Sequence, residues 1–144
     1  MIDSKELAKL EEKFYEVSNS SPAYVIELPI ECSKFRFKEM KESALRTILK
    51  AYWRFYIGTH STLPEFFVTG DDFLSLIKFS VRSYFKYREE IDLGYGFKII
   101  GEICLIRKVG IYIIYSPDFP RDSMDICGVN GLMLEQRRYK LIKS

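Results

Sequence analysis

Aspartates are the side chains best placed for chemistry in this sequence, and they fall into two groups. Asp71 and Asp72 follow the apolar run Glu65 to Thr69 and precede helix-type spacing. Two carboxylates at a strand-to-helix corner can hold a magnesium ion beside phosphate groups. They also suit the first turn of a helix, where negative charge meets free N–H groups, and that is the favoured reading. Asp118, Asp122 and Asp125 offer three oxygen ligands over eight residues. Their spacing departs from an EF-hand calcium loop, so they read as loop and turn residues. His60 is the sole histidine, which removes His-rich metal sites and leaves no motif for an activated nucleophile. Gly94-Tyr95-Gly96 leads into a strand, the reverse of the order that seats a pyrophosphate on a helix N-terminus. Cys32, Cys104 and Cys127 are odd in number and widely spaced, which supports neither a disulfide framework nor a zinc site and suits a reducing interior. No catalytic, cofactor or metal residue is assigned, and the chain is expected to be non-enzymatic.

Basic residues offer a second chemistry. Lys34, Arg36, Lys38 and Lys41 alternate with Phe35 and Phe37, and Arg137 and Arg138 with Lys140 form a further group. Phosphate contact with aromatic stacking would make them a nucleic-acid surface. The net charge of +2 and the lack of a recognised nucleic-acid motif weigh against this, so it stands as the alternative function. Charge is unevenly distributed: residues 1–31 carry 3 basic and 7 acidic side chains, residues 32–60 carry 7 basic and 2 acidic. Such asymmetry can orient one copy of the chain against another.

The elements that must position these residues follow from periodicity. Residues 3–18 read as a helix capped by Asp3, with Leu7, Leu10, Phe14 and Val17 forming one narrow apolar stripe. A stripe of that width predicts a peripheral helix (residues 1–21) that offers itself to a partner. Ala23 to Leu28 reads as an edge strand ended by Pro29. Residues 38–57 carry a broad apolar face and predict the main core helix, with Gly58 at its C-cap. Glu65 to Thr69 reads as a strand, followed by a helix with Thr69 or Asp71 as N-cap that runs to Tyr87. Phe97 to Ile106 and Ile111 to Tyr115 read as central strands apolar on both faces, with Ile99, Ile103 and Leu105 on one side and Ile100, Cys104 and Ile106 on the other. Met124 to Cys127 and Leu132 to Leu141 complete the sheet, with a turn at Gly128 and Gly131 and an interruption at Glu135 to Arg138.

A chain of 144 residues with 47% hydrophobic side chains fits one domain whose core spans residues 38–142. The expected class is α+β: a mixed or antiparallel sheet flanked by two main helices. Met1 to Glu16 lacks a signal-peptide apolar region, and no run of about 18 apolar residues occurs. A membrane partner is therefore not expected; the expected location is the cytoplasm, or the virion if the chain is viral.

Four stretches resemble the axial domain of HK97-like major capsid proteins, a fold shared by encapsulin shells. They are FFVTGDDFLSLIKF (66–79), GEICLIRKVGIYIIYSPDFP (101–120), MDICGVNGLMLEQRR (124–138) and RYKLI (138–142). The first looks like that domain's opening strand and helix, and the second like its core strands and protruding loop. The third looks like a strand-turn-strand with a late arginine, and the last like an exit strand. The likeness covers residues 63–142 and leaves no room for a complete peripheral domain and extended loop, so it implies a truncated member, similar in outline to short encapsulin-like proteins of archaea. It implies a self-assembling structural protein whose Ser116, Pro117, Asp118, Phe119 and Pro120 loop lies near a local symmetry axis. Together with Leu7, Leu10, Phe14 and Val17, that loop is the expected interface with further copies.

Overall fold

The computed structural model describes residues 2–18, 25–30, 37–80, 85–105 and 110–143. The chain is an α+β protein with one mixed seven-stranded sheet. In chain order the elements are α1 (Ser4–Ser18), β1 (Val25–Ile30), α2 (Phe37–Gly58), β2 (Phe66–Thr69), α3 (Asp71–Ser80), β3 (Phe85–Gly94), β4 (Phe97–Cys104), β5 (Gly110–Tyr115), β6 (Ser123–Asn130) and β7 (Met133–Lys143). Strand order is β1-β7-β6-β2-β5-β4-β3; β1/β7 and β2/β5 are parallel and the other pairs antiparallel. The short β2 thus lies at the centre, with all four residues buried.

Side chains alternate across a strand, so a doubly apolar strand feeds two cores. Phe67, Ile113 and Ile126 point into one core, where Ile48, Ala51, Tyr52 and Phe55 of α2 and Phe73, Leu74 and Ile77 of α3 cover them. Their immediate neighbours Phe66, Val68, Ile114 and Cys127 point into the other, which Leu10, Phe14 and Val17 of α1 cover. The peripheral placement of residues 1–21 is therefore corrected: α1 is the lid of the second core, and Phe14 is 1% exposed. Its stripe is narrow because a single helix lies along a sheet face and needs only one contact line. Asp3 caps α1 as expected, its carboxylate accepting the Glu6 N–H at 2.8 Å. Leu28 of β1 is also fully buried, so the core reaches outside residues 38–142.

Several local expectations shift for physical reasons. β1 is an edge strand, yet it continues through Pro29 to Ile30; there it pairs with Ile142 and Lys143, and proline is tolerated in an edge strand whose other side carries no ladder with the described residues. α3 is described over Asp71–Ser80, residues 81–84 lie outside the described ones, and Phe85 to Tyr87 belong to β3, paired with Ile103 to Gly101. Phe85, Tyr87, Ile91 and Leu93 satisfy period two as well as Phe85 satisfies period 3.6, and pairing with β4 selects the strand. Ile99 and Ile103 point to opposite cores because the ladder passes from Ile99↔Ile114 to Gly101↔Ile113, leaving Ile100 as an extra residue. The β6–β7 ladder runs unbroken through Glu135 to Arg138. Gly128 lies within β6 rather than in the turn, where an added Cβ would fall 2.4 Å from the Leu63 carbonyl oxygen. The turn itself is Gly131-Leu132, with Gly131 at φ 63° in the first of two turn positions. Gly58 closes α2 as expected, while the left-handed steps fall on His60 and Ser61.

Tyr139 is wholly buried in the core under α2, and its hydroxyl has no hydrogen-bond partner among the described residues. Burial raises its pKa, with Arg137 and Arg54 only partly offsetting the effect. An unpaired buried hydroxyl costs about 1–3 kcal/mol. Tyr139→Phe keeps the ring and removes the orphan, so it is expected to stabilise the fold by about 1 kcal/mol, read as a higher urea midpoint at unchanged slope. A lower midpoint would show that the hydroxyl finds a partner in solution.

Candidate functional site

The residues expected to do chemistry collect at the end of the sheet where β2 and β5 finish. Gly70 joins β2 to α3 and serves as the helix N-cap, its carbonyl accepting the first helical N–H from Leu74 at 3.0 Å. Neither Thr69 nor Asp71 takes that position. The reason is the loop after β5: a Cβ on Gly70 would lie 2.0 Å from the Pro120 carbonyl oxygen, so only glycine lets this loop dock there. Gly70 N–H donates to Ser123 O at 3.1 Å and Asp72 N–H to Arg121 O at 2.8 Å, completing the attachment.

The carboxylates are distributed among separate partners. Asp71 accepts a short hydrogen bond from the Tyr115 hydroxyl. That bond, followed by burial, raises the Tyr115 pKa, because ionisation would place a phenolate against a carboxylate. Asp72 accepts from Arg121 Nε at 3.2 Å, and Asp122 faces Lys140 Nζ at 3.7 Å. Asp125 is buried and accepts from Arg138 Nε at 2.7 Å, Arg138 Nη2 at 3.1 Å and Gln136 Nε2 at 2.8 Å. Asp118 and Asp125 border one cavity while Asp122 faces Lys140 elsewhere, so the three do not form one ligand set. No cluster of three or more His, Cys, Asp or Glu residues with metal-binding geometry occurs among the described residues.

The loop expected at an interface has an anchored base and an outward rim. Ser116 is buried, with its hydroxyl accepting the Asp118 N–H at 3.1 Å, so it is not available to a partner. Pro117, Asp118 and Pro120 are exposed, and Phe119 is half-buried. The Phe119 ring meets Phe97 edge-on at 6.3 Å between centroids, and Phe97 meets Phe14 at 5.0 Å. The Arg138 guanidinium lies 5.0 Å from the centre of the Phe119 ring. Of the α1 stripe, Leu10, Phe14 and Val17 are consumed inside the chain and Leu7 is half-buried. Those three interface assignments are withdrawn for the same reason that α1 is not peripheral.

The basic group at Arg137 and Arg138 is also divided. Arg138 is 23% exposed and bound to Asp125, whereas Arg137 donates to the Gly58 carbonyl at 3.3 Å, close to the end of α2. Neighbouring strand residues face opposite ways, so the pair cannot form one phosphate-binding patch. Lys34 and Arg36 lie outside the described residues, as do the side chains of Lys38 and Lys41 in α2.

A feature that sequence reasoning missed lies at the opposite end of the sheet. Asn130 Nδ2 donates to the Thr59 carbonyl at 3.2 Å, and Arg137 reaches Gly58, which ties the β6–β7 turn to the end of α2. Large apolar side chains stand exposed around that junction: Leu132 fully, Ile57 at 74% and Met133 at 66%. Trp53, one helical turn before Ile57, adds a partly exposed ring that meets Tyr56 edge-on. The signal available in the sequence was Leu132-Met133 directly after the turn glycine, where polar residues are usual.

Comparison with family models, with curated proteins and with solved structures found no match. No helix among the described residues is long and apolar enough to cross a membrane.

Proposed function

We propose that this chain is a non-enzymatic structural protein that associates with further copies of itself. The observation that carries the proposal is the exposed apolar group Ile57, Leu132 and Met133, flanked by Trp53, at the junction of α2 with the β6–β7 turn. Large apolar side chains left exposed at one end of a fold mark an interaction site where they meet as a patch. The charge pattern supports a second copy as the occupant. Residues 2–18 hold five acidic and three basic side chains and cover one sheet face; residues 42–58 and 71–80, in the helices that cover the other, hold three acidic and four basic. Faces of opposite sign favour head-to-tail contact, which closes into rings or continues as an open array. The resemblance to the axial domain of HK97-like capsid and encapsulin proteins belongs to the same proposal, with a shell as the closed product.

Sedimentation of the purified chain over a range of concentrations, at low and high salt, tests this. Association that persists at high salt is expected, because an apolar contact is not screened as surface charge is. Leu132→Ser with Met133→Ser removes two large apolar groups, each worth about 1.5–3 kcal/mol when buried, and is expected to weaken association at least tenfold while leaving the fold intact. A wild-type chain that stays monomeric at every concentration would end the proposal.

A further inference from the structure

We infer that the cavity beneath the Ser116–Pro120 loop binds a protonated amine carried on a short apolar stem, whether a free amine or a lysine side chain from another copy. The cavity measures about 220 Å³ and lies between the last turn of α1, the start of β4 and the loop. That volume is below the roughly 300–1,000 Å³ of sites for drug-sized ligands and several times the roughly 30 Å³ share of one water, so it suits a small molecule or a single side chain.

Its walls are apolar and aromatic: Phe14, Val17, Val68, Phe97 and Phe119. Three charged groups also line it, Asp118, Asp125 and Arg138. Asp125 and Arg138 neutralise each other in a two-bond pair, with Gln136 occupying a further site on the carboxylate. Asp118 is the remaining charge: its carboxylate makes no hydrogen bond or ion pair with the described residues, and only its backbone N–H is engaged. One carboxylate without a partner among the described residues, at the exposed rim of an aromatic-walled cavity, favours a cation whose apolar stem gains from the rings; Phe119 already carries one cation, the Arg138 guanidinium, 5.0 Å from its centre. An anion would meet Asp118 with no free positive charge to offset it.

The site is pre-formed. Phe119 N–H donates to Ser116 O at 3.3 Å and Ser123 N–H to Pro120 O at 3.0 Å, and Gly70 holds the loop from below. A ligand therefore has little loop ordering to drive, which favours measurable affinity for a small molecule. This inference does not depend on self-association.

Calorimetric titration of the intact chain with 2-phenylethylammonium, 2-phenylethanol and 3-phenylpropionate holds the ring constant while changing the charge. The ammonium compound is expected to bind at least tenfold more tightly than either of the others. Asp118→Asn should lower that affinity at least tenfold, and Phe119→Leu, which keeps bulk but removes the ring face, should lower it several-fold. Equal or tighter binding of the alcohol or the carboxylate, an unchanged affinity in Asp118→Asn, or no binding by the wild type overturns the inference. Sedimentation with saturating ammonium compound separates the two sources. Dissociation of oligomers by the compound, matched in Asp118→Asn alone, identifies a lysine of a neighbouring copy as occupant; binding with unchanged sedimentation identifies a free amine.

Discussion

Phe14→Ala is expected to destabilise the fold by about 3–5 kcal/mol, the range for removing a buried phenyl ring from a packed core. Phe14 is fully enclosed between α1 and the sheet, against Phe97 and in the same apolar layer as Phe66, Val68, Ile99 and Ile114. Urea unfolding at low protein concentration, where association contributes little, measures the effect directly. Glu12→Ala, on the exposed side of α1, is the control and should stay within about 0.5 kcal/mol of wild type. If α1 were a surface element awaiting a partner, both changes would leave the isolated chain equally stable. Cys127 gives a second readout, since it lies in the layer under α1 and burial pushes its thiol pKa well up. It should react with a thiol reagent only when that layer opens, so Phe14→Ala should speed its labelling, followed by mass spectrometry to separate it from Cys32 and Cys104.

The second large effect is expected at Asp125. Asp125→Ala strands the Arg138 guanidinium and the Gln136 amide, both of which now donate to one buried carboxylate. Breaking a buried ion pair from one side costs about 3–5 kcal/mol, and the partial exposure of Arg138 places this case near the lower end, about 3 kcal/mol. Removing both charges together is a different experiment. Asp125→Leu with Arg138→Met leaves no unpaired charge, and much of the loss should be recovered, as is common when a buried pair is replaced by apolar groups of similar size. A double-mutant cycle from urea midpoints gives the coupling. A loss below about 1 kcal/mol in Asp125→Ala would show that water reaches the guanidinium freely and that the pair is not a structural tie.

Both predictions concern residues that looked unexceptional in one dimension. Phe14 was legible as one member of a helical stripe, and Asp125 as one of three loop-region aspartates. What each does depends on residues far away in the chain: Phe97 for the ring, Arg138 for the carboxylate. The basic pair Arg137-Arg138 makes the same point from the other side. Adjacent charges read as a patch, yet strand geometry sends one to the end of α2 and the other to Asp125.

The α+β class, α1 with its Asp3 cap, the length of α2 to within a residue at either end, the β2-Gly70-α3 unit and the four closing strands were legible in one dimension. All of these depend on local forces: apolar period, capping, turn glycines and β-branched composition. The remainder depends on contacts between segments distant in the chain. Pairing with β4 made residues 85–94 a strand although part of them keeps helical spacing, and one extra residue at Ile100 reversed the expected facing of Ile99. The central position of β2 and the use of α1 as the second lid depend on which surfaces meet, and contact between distant segments leaves little trace in local spacing. The same holds for both functional candidates. The cavity beside Asp118 forms where α1, β4 and the Ser116–Pro120 loop converge, and the exposed apolar group forms where the end of α2 meets the β6–β7 turn.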